Sequence, residues 1–249
     1  MLSLFDRRPA SEIEIAHAGE IYRIALRRVA TSRRYTLRVR AASRDVLLTM
    51  PARGTLKAAR EFAERHAAWI GVRLAKLPKP IPFAPGETVP LRGIERRIIH
   101  LPAARGVVWL EDSAEGPLLC VAGEAPHVAR RVGDYLKREA RRDLEAAVAR
   151  HAAALAVKPR RIALRDTTSR WGSCSSSASL NFSWRLILAP PHVLDYLAAH
   201  EVAHIVHMNH SPMFWNLTRR LFPETDRAEA WLKANGSGLH RFGAASGLV

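Results

Sequence analysis

One pentapeptide constrains this 249-residue chain more than any other stretch: His200-Glu201-Val202-Ala203-His204. The residues around it call for a helix. Pro190-Pro191 suits a helix start, and Val193, Leu194, Leu197, Ala198 and Ile205 supply an apolar side. Four residues make just over one turn, so both imidazoles project from one face, about 6 Å apart along the axis. That spacing lets two nitrogens reach a single zinc ion at about 2.0 to 2.1 Å. Glu201, one step round the helix, can take a proton from a water attacking a polarised carbonyl or phosphoryl centre.

A catalytic zinc site takes three protein ligands and keeps one position open. Two candidates lie downstream, His207 and His210. His207 shares the helical face, but seven residues put it about 10 Å from His200 along the axis, too far for one tetrahedral ion on a straight helix. His210 directly precedes Ser211-Pro212, a helix-start pair with serine as cap and proline in the first turn. The chain therefore turns between His204 and Ser211, which can swing His210 back as the third ligand. In a chain with 11 histidines, a chance H-E-x-x-H has an expectation of roughly a few per cent. Burying an unpaired Glu and His on a partly apolar helix would also be costly without a function. A metal site is the better reading.

Upstream, the periodicity changes along the chain. Tyr35, Leu37 and Val39 alternate with polar residues, as do Val46, Leu48 and Met50 before Pro51, which reads as strands with a buried face and a basic face. From Thr55 to about Leu77 the apolar steps become three and four residues, the period of a helix. Pro80, Pro82, Pro85 and Gly86 break the chain. Short strands are expected around Val89–Leu91, Arg96–His100, Val107–Leu110 and Leu118–Ala122. One long amphipathic helix is expected from Pro126 to about Val157. Ile162 and Leu164 then begin a strand, and Arg170–Ser177 and Leu180–Leu188 read as a hairpin around Ser177-Ala178-Ser179. No internal repeat is visible in the sequence. The domain boundary is expected near residues 122–126, giving a β-rich N-terminal region with one helix over 1–122 and the metal-bearing domain over 123–249.

The charge is uneven. The chain carries 39 basic and 23 acidic residues, net +16. Residues 1–80 hold 17 of the basic and 7 of the acidic ones, net +10, so weak contact with nucleic acid or another polyanion is expected there. Two cysteines, Cys120 and Cys174, are too few for a disulfide framework, which points to a reducing cytoplasm. The N-terminal MLSLFDRRPA lacks the apolar run of a signal peptide, and no stretch approaches the ~18 to 20 apolar residues of a membrane span, so no membrane contact is expected.

The segments RWGSCS, NFSWRLILAP, DYLAAHEVAH and NHSPMFW resemble the YgjP-like metallopeptidase family, which is related to the SprT-like zincin proteases. SRRYTLRV, the helix ending AWI and the FAPGE turn are similar to the family's N-terminal portion, so the likeness spans most of the chain. The hairpin tip near Ala178, where glycine is more usual, departs from it. The resemblance implies an α+β fold: an N-terminal β-rich portion, then a zincin-like catalytic domain whose HExxH helix packs on a small sheet. It implies zinc held by His200, His204 and His210, with Glu201 as base. Arg170 is a candidate clamp for a substrate carboxylate or phosphate, or for a developing oxyanion. Trp171 reads as a core residue and Cys174 as an inert buried thiol. The strand at Asn181–Trp184 is expected to be a sheet edge on which an extended peptide could add, making Asn181 a substrate-binding candidate.

A zinc-dependent metallopeptidase acting on peptide or protein is the leading expectation. A nucleoside triphosphate pyrophosphohydrolase would use the same centre on a phosphoanhydride. A nucleic-acid-associated protease would use the basic N-terminal portion for delivery. A structural zinc module fits least, because such sites usually close with four protein ligands.

Overall fold

The computed structural model describes residues 12–40 and 44–243. The expectation drawn for the N-terminal MLSLFDRRPA concerns residues outside these. The chain forms two compact units, one reaching to Lys79 and the other beginning at Pro80. The boundary expected near residues 122–126 falls inside the second unit, between a strand and a helix.

In the first unit, β1 (Glu12–His17), β2 (Glu20–Val29), β3 (Thr36–Val39) and β4 (Val46–Pro51) form a sheet in the order β1-β2-β4-β3. The β1–β2 hairpin turns at Ala18-Gly19, both at positive φ, as a tight primed turn requires. Alternate residues Ile13, Ile15, Ile24, Leu26, Val46, Leu48 and Met50 face inward and pack with Ala59, Ala63, Ala67 and Ile70. Arg23, Arg27 and Arg38 are exposed at the intervening positions. Thr55 caps the next helix, its Oγ1 accepting from Ala58 N at 3.1 Å.

The single helix expected from Thr55 to Leu77 is two helices, α1 (Leu56–Arg65) and α2 (Ala67–Ala75). The break falls at His66. Its ring Nδ1 donates to the Phe62 carbonyl at 2.8 Å, the acceptor its own backbone N–H would use in a continuous helix. That N–H bonds Ala63 O instead.

The second unit opens with β5 (Thr88–Leu91), β6 (Ile94–Leu101), β7 (Val108–Ser113) and β8 (Gly116–Ala122), ordered β5-β6-β8-β7. All four strands lie at the short runs, bounded by Gly or Pro, where strands are expected. A short 3₁₀ turn at Ala125–His127 leads into α3 (Val128–Ala154), whose Val132, Leu136, Ala140, Leu144 and Val148 are buried. They share a core with Ile98, Leu119 and Val121 of the sheet. A second sheet holds β9 (Arg161–Arg165), β10 (Gly172–Cys174) and β11 (Ser179–Ser183) in the order β10-β11-β9.

The hairpin expected around Ala178 joins β10 to β11, and Ala178 itself takes φ 55°, the conformation for which glycine is the usual choice. The strand expected to run on to Leu188 stops at Ser183. Residues Trp184–Leu188 form a 3₁₀ turn instead, with Ser183 Oγ accepting from Arg185 N. Then come α4 (Pro191–Val206), α5 (Pro212–Leu221) and α6 (Thr225–Asn235). The fold is α+β, as expected, and no helix among the described residues is long and apolar enough to cross a membrane.

Candidate metal centre

Helix α4 starts at Pro191, where a missing N–H costs nothing, and ends at Val206. Val193, Leu194, Leu197, Ala198 and Val202 are buried against the core, which fixes the opposite face. His200 and His204 lie one turn apart on that face, with ring centroids 4.9 Å apart. At His207 the backbone becomes extended and the helix stops. Ser211 then caps α5, its Oγ accepting from Phe214 N at 3.4 Å. This turn brings His210 back. Its Nε2 stands 3.2 Å from His200 Nε2, and one nitrogen from each of His200, His204 and His210 lies within 4.8 Å of the others.

These three residues could hold a metal ion. Two nitrogens bound to one ion at about 2.0 to 2.1 Å and a tetrahedral angle lie about 3.3 Å apart, which the His200–His210 pair matches. The tautomers agree. His204 Nδ1 is 3.0 Å from the His207 carbonyl, which can only accept, so the proton sits on Nδ1 and Nε2 is bare. His207 thus contributes its backbone oxygen, and its imidazole is not part of the cluster. Burial, then the neighbouring His204 and His210, push His200 down to about 3, keeping it neutral as a ligand must be. Burial also lowers His204.

Phe214 is fully buried beneath the cluster. Its ring stacks on His204 at 4.4 Å and meets the edges of His200 and His210 at 4.9 and 4.7 Å. Its place just after the Ser-Pro helix start marks it as packing; that it floors all three imidazoles depends on the turn that returns His210.

Glu201 is 3% exposed and its Oε2 has no protein hydrogen-bond partner. Burial pushes its carboxyl up to about 8, against the pull of the Arg170 charge. The carboxylate rests on β10. A Cβ built on Gly172 would come within 2.3 Å of Glu201 Oε1, so any larger residue there would push the carboxylate from its place. The signal for this lies in RWGSC, but its meaning depends on which helix the strand faces. Cys174, two residues on, stays a thiol: burial and then the Glu201 charge raise it. Trp171 stacks on His240 at 5.1 Å and packs against the core.

The two substrate-binding candidates part company. Arg170 is exposed, close enough for its charge to act on Glu201, and without an ion-pair partner among the described residues. Asn181 lies elsewhere. Gly172 pairs with Phe182 and Cys174 with Leu180 on the sheet face toward α4, so the Ser173–Asn181 pair faces the other way. Asn181 there bonds Ser173 Oγ and Arg165 Nε, each at 3.4 Å. Nor is its strand an edge: β11 is paired antiparallel to β10 and parallel to β9, and the edge near Glu201 is β10. The expectation of an edge at Asn181–Trp184 is corrected. The sequence could not reveal the parallel partner, because β9 joins the sheet across an intervening strand.

A buried glutamate between two helical histidines, with a third imidazole converging on them over a small sheet, defines a metallohydrolase-type centre. The chain matches the YgjP-like, metallopeptidase domain over residues 33–235 and belongs to that family. No curated protein and no solved structure matches it.

Proposed function

We propose that this chain is a zinc-dependent metallopeptidase in which His200, His204 and His210 hold the ion and Glu201 is the general base. The observation that carries this reading is the 3.2 Å approach of two imidazole Nε2 atoms, the separation expected of nitrogens sharing one small ion. Neutral imidazoles favour zinc over hard cations such as magnesium. Bound zinc would supply Lewis acidity, polarising the scissile carbonyl and making water acidic enough to attack near neutral pH.

The chain's own residues supply the rest. Glu201 accepts the proton of the attacking water, and its environment suits a base working near neutrality. Gly172 leaves room for that carboxylate. Arg170 favours its ionised form and, unpaired among the described residues, can meet a carboxylate or an oxyanion. β10 is an edge strand among the described residues, and its outer side offers backbone donors and acceptors on which an extended peptide could add beside Glu201. Both cysteines are free thiols, which suits a cytoplasmic location.

A second reading, hydrolysis of a nucleoside triphosphate, rests on the Arg170 guanidinium, unpaired among the described residues, whose planar fork also suits phosphate. A screen of zinc-loaded protein against peptides and nucleoside triphosphates separates the two. Arg170→Ala should weaken turnover of phosphate substrates far more than of neutral peptides if the phosphate reading holds. In either case Glu201→Gln, nearly isosteric, should keep fold and zinc while losing about 10²- to 10⁴-fold in turnover. Wild-type turnover in zinc-loaded Glu201→Gln would rule the base assignment out.

A further inference from the structure

Beyond the three histidines, α4 and α6 share a polar chain that ends on the metal centre. Tyr196, one turn before His200, is 3% exposed. Its phenol donates to Glu229 Oε1 at 2.7 Å, and the same phenol oxygen lies 3.2 Å from His200 Nδ1. We propose that Tyr196 and Glu229 are positioning residues for the metal centre, a relay that fixes the tautomer of His200 and strengthens it as a ligand. The proposal rests on the reading of His200 as a zinc ligand.

Counting protons gives the direction of the relay. A phenol has one proton, and the shorter contact commits it to the Glu229 carboxylate. The phenol oxygen then has only lone pairs for His200, so Nδ1 must carry the imidazole proton and donate it. A neutral imidazole has one N–H, so Nε2 is left bare, and Nε2 is the atom that faces His210. Without the relay, the free ring could protonate at Nε2 and present the wrong atom.

The three ligands differ in what steadies them. His204 donates to the His207 carbonyl, a main-chain partner from its own turn. His210 is exposed, and its Nδ1 has no hydrogen bond to the described residues. His200 alone leans on a carboxylate, and on one borne by α6. Hydrogen bonding of a ligating imidazole to a carboxylate, direct or relayed, raises its basicity, and losing such a partner typically weakens metal binding 10- to 100-fold. The bland alternative is that Tyr196 and Glu229 only tie α6 to α4.

The test uses the full chain and Zn²⁺, with affinity read by chelator competition and His200 tautomers read by ¹⁵N NMR of the metal-free protein. Tyr196→Phe keeps the buried ring but removes the relay. Glu229→Gln keeps an acceptor oxygen, and so the tie between helices, but removes the charge. Both should weaken zinc binding about 10- to 100-fold, with metal-free melting temperature unchanged in Glu229→Gln. His200 should be Nδ1-protonated in the wild type and a mixture in Tyr196→Phe. Asp226→Asn, which removes an α6 carboxylate paired with Arg219, should leave affinity unchanged. Wild-type affinity in both relay variants, an equal loss in Asp226→Asn, or His200 protonated on Nε2 in the wild type would overturn the relay. His200→Ala separates this from failure of the metal site itself. If it too binds zinc like the wild type, the ligand assignment falls; if it alone loses zinc, only the relay falls.

Discussion

The sheet β1–β4 and the sheet β5–β8 are built the same way. In each, an antiparallel hairpin lies beside a second one, and the two meet through a central parallel pair, β2 with β4 and β6 with β8. Each leads into helix. The sequences show no repeat, because a sheet of this kind asks only for alternating apolar positions and turn residues, which many side chains satisfy. The helices after the two sheets differ. After β4 come two short ones, α1 and α2, whose buried residues are mostly alanine. After β8 comes the 27-residue α3, with a buried stripe long enough to pack both the sheet and the helix that carries the histidines. The same topology thus serves in one unit as a small module with a basic face, and in the other as the foundation of the candidate metal centre.

Two matched core substitutions put that comparison under strain. Leu48 and Leu144 are both fully buried, in separate apolar clusters. Leu48→Ala and Leu144→Ala should each cost about 2 to 5 kcal/mol through the cavity left behind. Hydrogen exchange should accelerate chiefly among β1–β4 and α1–α2 for the first, and among β5–β8, α3 and α4 for the second. Equal acceleration across both sets in either variant would mean that the two cores act as one.

Much of the fold and of the site is legible in the sequence, for reasons that particular residues make plain. The pentapeptide, the Ser211-Pro212 restart, the alternation in β3 and β4 and the Gly- and Pro-bounded runs of β5 to β8 are local signals, and they give the histidine helix, the returning His210 and six strands. The β1–β2 hairpin is not among the expected strands, although Glu12-Ile13-Glu14-Ile15 alternates; its second strand carries Arg27-Arg28 where the pattern should repeat. The α1–α2 break depends on one side-chain bond from His66, invisible to periodicity. The facing of Gly172 toward Glu201, the inner place of β11 and the Glu229–Tyr196 contact are all non-local. Each requires knowing which elements meet, and a single sequence does not say.

A smaller effect is expected from pH in the second unit. In metal-free protein Glu201 sits with its pKa raised from an ordinary 4.5 to about 8, chiefly by burial. A raised carboxyl contributes its stabilisation below the unfolded value and loses it as pH climbs through the folded one. The metal-free wild type should therefore lose melting temperature relative to Glu201→Gln as pH rises from 4.5 to 8. A gap between the two proteins that stays constant across that window would contradict the burial of the carboxyl. Zinc, by favouring the ionised form, should narrow the gap.

The smallest effect belongs to the basic face of the first sheet. Its exposed Arg27 and Arg38 stand on strands without a base-reading motif, so binding of DNA or heparin should be weak and largely lost between about 50 and 200 mM salt. Reversing both charges should weaken it further and leave zinc content untouched. Binding unchanged across that salt range, or strong preference for one DNA sequence, would show a recognition surface of another kind.

The central claim is that three imidazoles, two from α4 and one returned by the turn before α5, hold one zinc ion, and metal analysis of single variants tests it most directly. The wild type should carry one tightly bound zinc per chain. His200→Ala and His204→Ala should abolish it, His210→Ala should lose it, and His207→Ala should retain it, because only the His207 carbonyl is used. Full zinc in His210→Ala together with none in His207→Ala would contradict the account.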